Sequence, residues 1–178
     1  METSYILTFI GDDRPGLVEA LSRVIEDNGG NWLESRLSQL GGKFAGLVLV
    51  VLPDENGAAL EADLKALSST GLSVRVTPAA GMVATSAGRS ITLTIIGPDR
   101  LGIVREISRA LAQREVNVVE MDSTVSSAPM SAEMIFTARI DAEIPEHLDL
   151  DDLEDSLEDI ANVMTLEIEL ERSHKMAR

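Results

Sequence analysis

The chain has 178 residues, a net charge of −15 and no cysteine. The absence of cysteine excludes disulfides, thiolate metal sites and cysteine nucleophiles. The negative charge disfavours direct binding of nucleic acid, because an acidic surface repels a phosphate backbone. The start of the chain lacks the basic residues of a leader, and the longest apolar run, 47–52, is too short to cross a bilayer. We therefore expect a cytoplasmic protein with no membrane partner.

The first half of the chain alternates between strand and helix patterns. Apolar residues recur at helical spacing from Leu17 to about Asp27, and Pro15 suits the first position of that helix. Asn28, Gly29 and Gly30 supply a helix end. The predicted elements are a strand at 4–10, a helix to 27, strands at 31–40 and 43–52, a helix around 60–67 and a strand at 72–77.

The segment 47–52 is apolar on both faces of its predicted strand, Leu-Val-Leu-Val-Val-Leu. An antiparallel strand with one solvated face would alternate instead. We expect something to cover the outer face of this strand, either by pairing of the two halves or by self-association.

The second half repeats the order of elements after a small, turn-rich linker. The predicted elements are a strand at 90–96, a helix at 101–114, strands at 116–125 and 132–140 around a turn at 126–129, a helix at 149–162 and a strand at 164–171. Leu101 stands where the first half has Pro15, and Glu115 and Val116 replace Gly29 and Gly30. We predict a first domain at 1–80, a linker at 81–89 and a second domain at 90–173.

An internal repeat supports this division. Residues 7–34 and 93–120 are identical at twelve of twenty-eight positions without a gap, at a spacing of 86. This period is the size of a domain rather than of a solenoid unit. The predicted fold is α+β, with two ferredoxin-like βαββαβ domains, each a four-stranded antiparallel sheet with two helices on one face.

The loop between the first strand and first helix of each copy is the candidate binding site. A helix N-terminus presents unpaired N–H groups and the positive end of the dipole, so it can receive a carboxylate. An aspartate in the loop can pair with an ammonium group, and an asparagine can hydrogen-bond both groups of a zwitterion. The candidate residues are Asp13, Arg14, Pro15, Gly16, Leu17 and Asn31 in the first copy and Asp99, Arg100, Leu101, Gly102, Ile103 and Asn117 in the second.

A structural interpretation of the same residues remains open. In this interpretation, Asp13 and Asp99 only cap the helices that follow them. Arg14 and Arg100 can be solvated, and the glycines can simply turn the chain. No acid/base pair or nucleophile arrangement indicates catalysis, and the residues predict no metal site and no cofactor.

The repeated motif resembles that of ACT domains. Each copy carries Gly-x-Asp-Arg-x-Gly-(Leu/Ile)-Val between the first strand and the first helix, at 11–18 and 97–104, and Asn before the second strand. The resemblance covers nearly the whole chain. In that family the loop and the start of strand two form sites for a free amino acid, typically at an interface between domains.

The resemblance implies a non-enzymatic regulator that senses an amino acid of glycine or serine size. Such a regulator would control transcription in glycine or amino-acid metabolism through contact with a protein partner, such as a DNA-binding regulator. The alternative is a detached regulatory module of an enzyme of amino-acid metabolism, such as a phosphatase or hydrolase. A homo-oligomer is expected in either case.

Overall fold

The structure is a computed structural model, and it describes residues 1–79, 89–129 and 132–173. These residues divide into two compact units, one on each side of the predicted linker. Of the predicted linker at 81–89, residues 81–88 lie outside the described residues, and Arg89 opens the first strand of the second unit. No helix in the described ranges is long and apolar enough to span a membrane.

The first unit has the predicted βαββαβ order. Its elements are β1 (Glu2–Asp12), α1 (Leu17–Asp27), β2 (Asn31–Leu40), β3 (Lys43–Pro53), α2 (Gly57–Ala66) and β4 (Ser73–Pro78). The strands form an antiparallel sheet in the order β2-β3-β1-β4. Alternate residues of β1 and β3 lie in the core with the inner faces of the two helices, among them Leu7, Val48, Leu21 and Leu60.

The second unit repeats this arrangement and confirms the predicted fold class. Its elements are β5 (Arg89–Pro98), α3 (Ile103–Ala112), β6 (Asn117–Ser127), β7 (Met134–Ile144), α4 (Leu150–Met164) and β8 (Glu167–Ser173). The sheet order is β6-β7-β5-β8. The core is separate, and it contains Leu93 and Ile140 from the sheet and Ile107 and Leu153 from the helices.

Two predicted helix starts are wrong. Pro15 and Leu101 lie outside the helices, which begin at Leu17 and Ile103. The preceding Gly16 and Gly102 have φ of 90° and 98°, in the left-handed region that a side chain disfavours. Glycine therefore sets each helix start.

Other boundaries of the second unit also differ from the sequence prediction. Ser126 and Ser127, predicted in a turn, belong to β6. Asp149, predicted as the first helical residue, caps α4 instead, and its side chain accepts a hydrogen bond from Asp151 N at 3.1 Å. Met164, predicted to open the last strand, ends α4, since Thr165 adopts a left-handed φ of 60° there.

The end of the first helix is the same in both units despite the loss of glycine. Gly29 N donates to Glu26 O, and Glu115 N donates to Ala112 O, at the equivalent position. Glu115 keeps the left-handed conformation with φ of 57°, against 70° for Gly29. The backbone geometry has been retained although the residue suited to it has not.

Candidate functional site

The loop that follows β1, residues 13–16, is here called the first loop. It leads into α1 without a side-chain cap: Gly16 is the N-cap residue, and among the described residues no side-chain hydrogen bond caps the start of the helix. Asp13 therefore does not cap the helix, and Asp99 does not cap α3 either. The backbone N–H groups at the start of α1 remain available to an anion.

Two hydrogen bonds and an ion pair hold the first loop in place. Asp13 N donates to Gly42 O at 3.0 Å in the β2–β3 turn. Arg14 Nη2 donates to Thr70 O at 2.6 Å, just before β4, so this guanidinium is a brace rather than a freely solvated group. Asp12 pairs with Lys43. The hydrogen bond and charge of Lys43 lower the pKa of the Asp12 carboxyl below its ordinary value of 3.8.

A concavity of about 490 Å³ opens at the first loop and the first turn of α1. Its lining combines charged and polar groups with an apolar wall, from Asp13, Arg14, Gly16, Leu17, Val18, Glu19, Ser22 and Phe44. The Glu19 carboxylate accepts from Arg23 Nη2 at 2.6 Å, and this hydrogen bond and charge raise the pKa of Arg23. Within the described residues, the Asp13 carboxylate accepts no side-chain hydrogen bond. It therefore remains available to a ligand cation.

Asn31 does not join this site within one unit. It pairs with Val51, whereas the first loop follows the pair Asp12–Lys43, eight residues away along β3. At ~3.3 Å per residue the separation is roughly 26 Å. The cause is the direction of α1, which carries the chain back to the starting end of β1 before β2 begins.

The second loop, residues 99–102, has a similar backbone and a different pocket. Asp99 N donates to Met134 O at 2.8 Å, and Leu101 is fully exposed. A concavity of about 460 Å³ lies here, lined by Leu101, Gly102, Arg105, Glu106, Asp159, Ile160, Val163 and Met164. Asp99 and Arg100 are not among these residues. Asn117 pairs with Glu143 at the far end of the sheet, like Asn31 in the first unit.

The sequence interpretation missed four residues that line the first pocket: Val18, Glu19, Ser22 and Phe44. Val18, Glu19 and Ser22 lie on the α1 surface beside the loop, and the helical spacing of Val18 favoured the core instead. Phe44 contacts Phe9 in a tilted arrangement, with ring centroids 5.8 Å apart. Its position two residues after the Gly41-Gly42 turn was the available signal, and the structure sets it opposite Gly11.

The fold and the two glycine-led loops define a chain of two duplicated ferredoxin-like domains. The chain belongs to the ACT domain family: the family models match residues 3–77 and 91–162. No curated protein matches the sequence.

Two solved structures share the whole architecture. A protein of unknown function from Galdieria sulphuraria is 26% identical, with a TM-score of 0.87, over 98% of this chain and 100% of that one. A candidate glycine cleavage system transcriptional repressor is 18% identical, with a TM-score of 0.73, over 98% of this chain and 99% of that one. At 18% identity, the similarity to the second structure concerns the fold alone.

Proposed function

We propose that this protein is a non-enzymatic regulator that binds a small amino acid, of glycine or serine size, at the first loop. The observation that carries the proposal is the uncapped start of α1, which opens into a pocket of about 490 Å³ beside the Asp13 carboxylate. An uncapped helix start and an adjacent carboxylate provide the two opposite charges that a zwitterion requires.

The ligand carboxylate would accept hydrogen bonds from the N–H groups at the start of α1, and the ammonium group would pair with Asp13. The apolar wall formed by Val18 and Phe44 would receive the side chain of the ligand. Pro15 lies in the loop rather than in the helix, but its fixed φ still restricts the loop before binding. Leu101 gives the second loop no such restriction, so we propose that the first loop binds more tightly.

The loop is also placed to transmit binding. It is bonded to the β2–β3 turn through Gly42 O and to the segment that precedes β4 through Thr70 O. A ligand that moves the loop therefore acts on both edges of the first sheet. We propose that a protein partner in the cytoplasm, such as a DNA-binding regulator, reads this change. Control of transcription in glycine or amino-acid metabolism is the proposed outcome, in line with the likeness of fold to the candidate repressor.

Isothermal titration calorimetry with glycine, serine and larger amino acids tests the site. Asp13→Ala should weaken binding by about 1 to 3 kcal/mol, since the ligand ammonium group loses its charged partner. Asp99→Ala is the matched control in the second unit and should weaken binding less. Absence of heat with every amino acid would remove the proposal.

Asn31→Ala is the control for distance. Asn31 lies roughly 26 Å from the loop, so this variant should bind like the unsubstituted protein. A loss as large as that of Asp13→Ala would show instead that the start of β2 in a second chain completes the site. Mixing the two variants would then restore part of the binding.

A further inference from the structure

The side of the first sheet that faces away from the helices is here called the outer face. Cross-strand pairing arranges its centre in two rows. One row contains Glu34, Leu49, Ile6 and Thr77, and the next contains Arg36, Leu47, Thr8 and Arg75. Leu47 is 49% exposed, and a hollow of about 160 Å³ lies among Ile6, Glu34, Ser35, Arg36, Leu47 and Leu49. The centre of the face is thus apolar, with charges at its margins.

The corresponding face of the second unit has the composition expected of a face exposed to water. Its equivalent rows contain Glu120, Asp141, Thr92 and Glu171, then Asp122, Arg139, Thr94 and Glu169. Asp141 stands where the first unit has Leu49, and Arg139 where it has Leu47. Asp141 accepts from Thr92 Oγ1 at 2.6 Å and from Arg139 Nη2 at 3.0 Å. One fold therefore carries an apolar outer face and an acidic one.

We propose that the outer face of the first sheet binds the same face of a second copy of this chain. The two-fold axis would run across the strands, between the two rows. This operation places each row on the other row of the partner copy. Leu49 then meets Leu47 of the second copy, and the leucines fill the central hollows. Sheets packed in this way lie ~10 Å apart with their strands nearly aligned.

The margin of the face is complementary to itself under this operation. Glu34 lies one row from Arg36 on the same strand, with Oε1 and Nη2 3.5 Å apart. The two-fold axis sets Glu34 of each copy opposite Arg36 of the other copy, so this contact occurs twice in the dimer. An axis parallel to the strands would instead bring Arg36 over Arg75, which repels. The charges thus select one of the two aligned arrangements.

Charge also favours this face over the rest of the surface. The chain carries a net charge of −15, so two copies repel each other at most contacts. The two central rows of the first unit hold two arginines and one glutamate. The acidic outer face of the second unit is an unfavourable binding partner for these leucines, because its carboxylates would lose their hydration on contact with them.

The size of the face predicts an association of modest strength. Four strands ~4.8 Å apart and about eight residues long at ~3.3 Å each cover roughly 500 Å² in projection. Standard interfaces bury ~800 Å² on each partner. The dimer should therefore dissociate on dilution, and sedimentation equilibrium or light scattering across a concentration series should show one transition from dimer to monomer.

A charge-swap experiment tests the arrangement with the full chain. Arg36→Glu places carboxylates opposite each other and should raise the dimer dissociation constant by at least about tenfold. The double variant Glu34→Arg with Arg36→Glu restores the complementarity and should dimerise within about threefold of the unsubstituted protein. An equimolar mixture of the single variants Arg36→Glu and Glu34→Arg should associate more strongly than either variant alone.

Arg109→Glu, on the exposed side of α3, is the control for net charge and should leave the dissociation constant unchanged. Circular dichroism melts should confirm that each variant remains folded, because about two-thirds of the Glu34 and Arg36 side chains is open to solvent. A chain that stays monomeric at all concentrations overturns the proposal. Failure of the double swap to restore association also overturns it, since another surface or another occupant would then be responsible.

Discussion

At the scale of single residues, Glu115 is one of the residues with a strained backbone. It has φ of 57°, at the position that Gly29 occupies in the first unit. The left-handed conformation costs a residue with a side chain ~1–2 kcal/mol, and the extra chain entropy of glycine offsets ~0.5–1 kcal/mol of that. Its exposed contact with His147, 3.8 Å between Oε2 and Nε2, adds little stability.

Glu115→Gly should therefore stabilise the second unit, by about 1 kcal/mol. The change in free energy of unfolding can be measured by urea denaturation. Gly29→Ala is the reverse control in the first unit and should destabilise it by about the same amount. A Cβ at Gly29 would meet only ordinary contacts, 3.6 Å from Asn56 Nδ2, so the loss would reflect the backbone conformation alone. A destabilised Glu115→Gly variant would contradict the prediction.

The ion pair between Asp12 and Lys43 gives a second prediction at this scale. Lys43 lowers the pKa of Asp12 below 3.8. A carboxyl whose folded pKa is depressed stabilises the fold above its unfolded pKa, and this stabilisation is lost as pH falls through the folded pKa. Lys43→Met should raise the pKa of Asp12 towards 3.8 and flatten the fall in stability below about pH 4. NMR titration of the Asp12 carboxyl carbon measures the shift. An unchanged titration would mean that the pair does not persist in solution.

At the scale of elements, β3 has two apolar faces with different roles. Val48 is fully buried in the first core, whereas Leu49 lies on the outer face. Val48→Glu should cost more than about 4 kcal/mol of folding stability, because it buries a charge without a partner. Leu49→Glu should cost less than about 1 kcal/mol and weaken self-association. Denaturation and sedimentation of both variants separate the two effects; equal losses of stability would show that both faces of β3 belong to one core.

The elements also show what the sequence could predict. In the part of the chain that the structure describes, the sequence pattern identified the eight strands and four α-helices, because Leu, Ile and Val recur with the period of the element that buries them. It placed the first helix start at Pro15, since proline at the first helical position is common, whereas Gly16 in the left-handed region sets the start. Spacing carries no information on the φ of a glycine.

The position of Asn31 in the folded domain could not be predicted from hydrophobic spacing. The motif sets Asp13 and Asn31 eighteen residues apart, and both follow the same repeat. Their separation in space depends on the direction of α1, which returns along the sheet before β2 starts. A βαβ pattern could have given that direction, but no local property of Asn31 reports it. The pocket residue Phe44 was missed for a related reason, as it comes from a strand adjacent only in the folded sheet.

At the scale of the whole molecule, the net charge of −15 predicts that the protein does not bind DNA alone. Affinity for a duplex depends mainly on the neutralisation of phosphates by basic side chains. An electrophoretic mobility shift assay with purified protein at near-physiological ionic strength should show free DNA at all protein concentrations. A shift that weakens with added salt would contradict this and would point to a basic surface.

The acidic outer face of the second sheet has a consequence for stability in salt. Residues 1–79 hold eleven acidic and six basic side chains, whereas residues 89–173 hold nineteen and seven. Unfolding of the second unit therefore relieves more repulsion between like charges than unfolding of the first unit does. The second unit also has a hydrophobic core of its own. Screening shortens the Debye length from ~10 Å at 0.1 M salt to ~3 Å at 1 M. Sodium chloride should raise the melting temperature of the second unit more than that of the first, so the two halves of one duplicated chain would differ in their dependence on ionic strength.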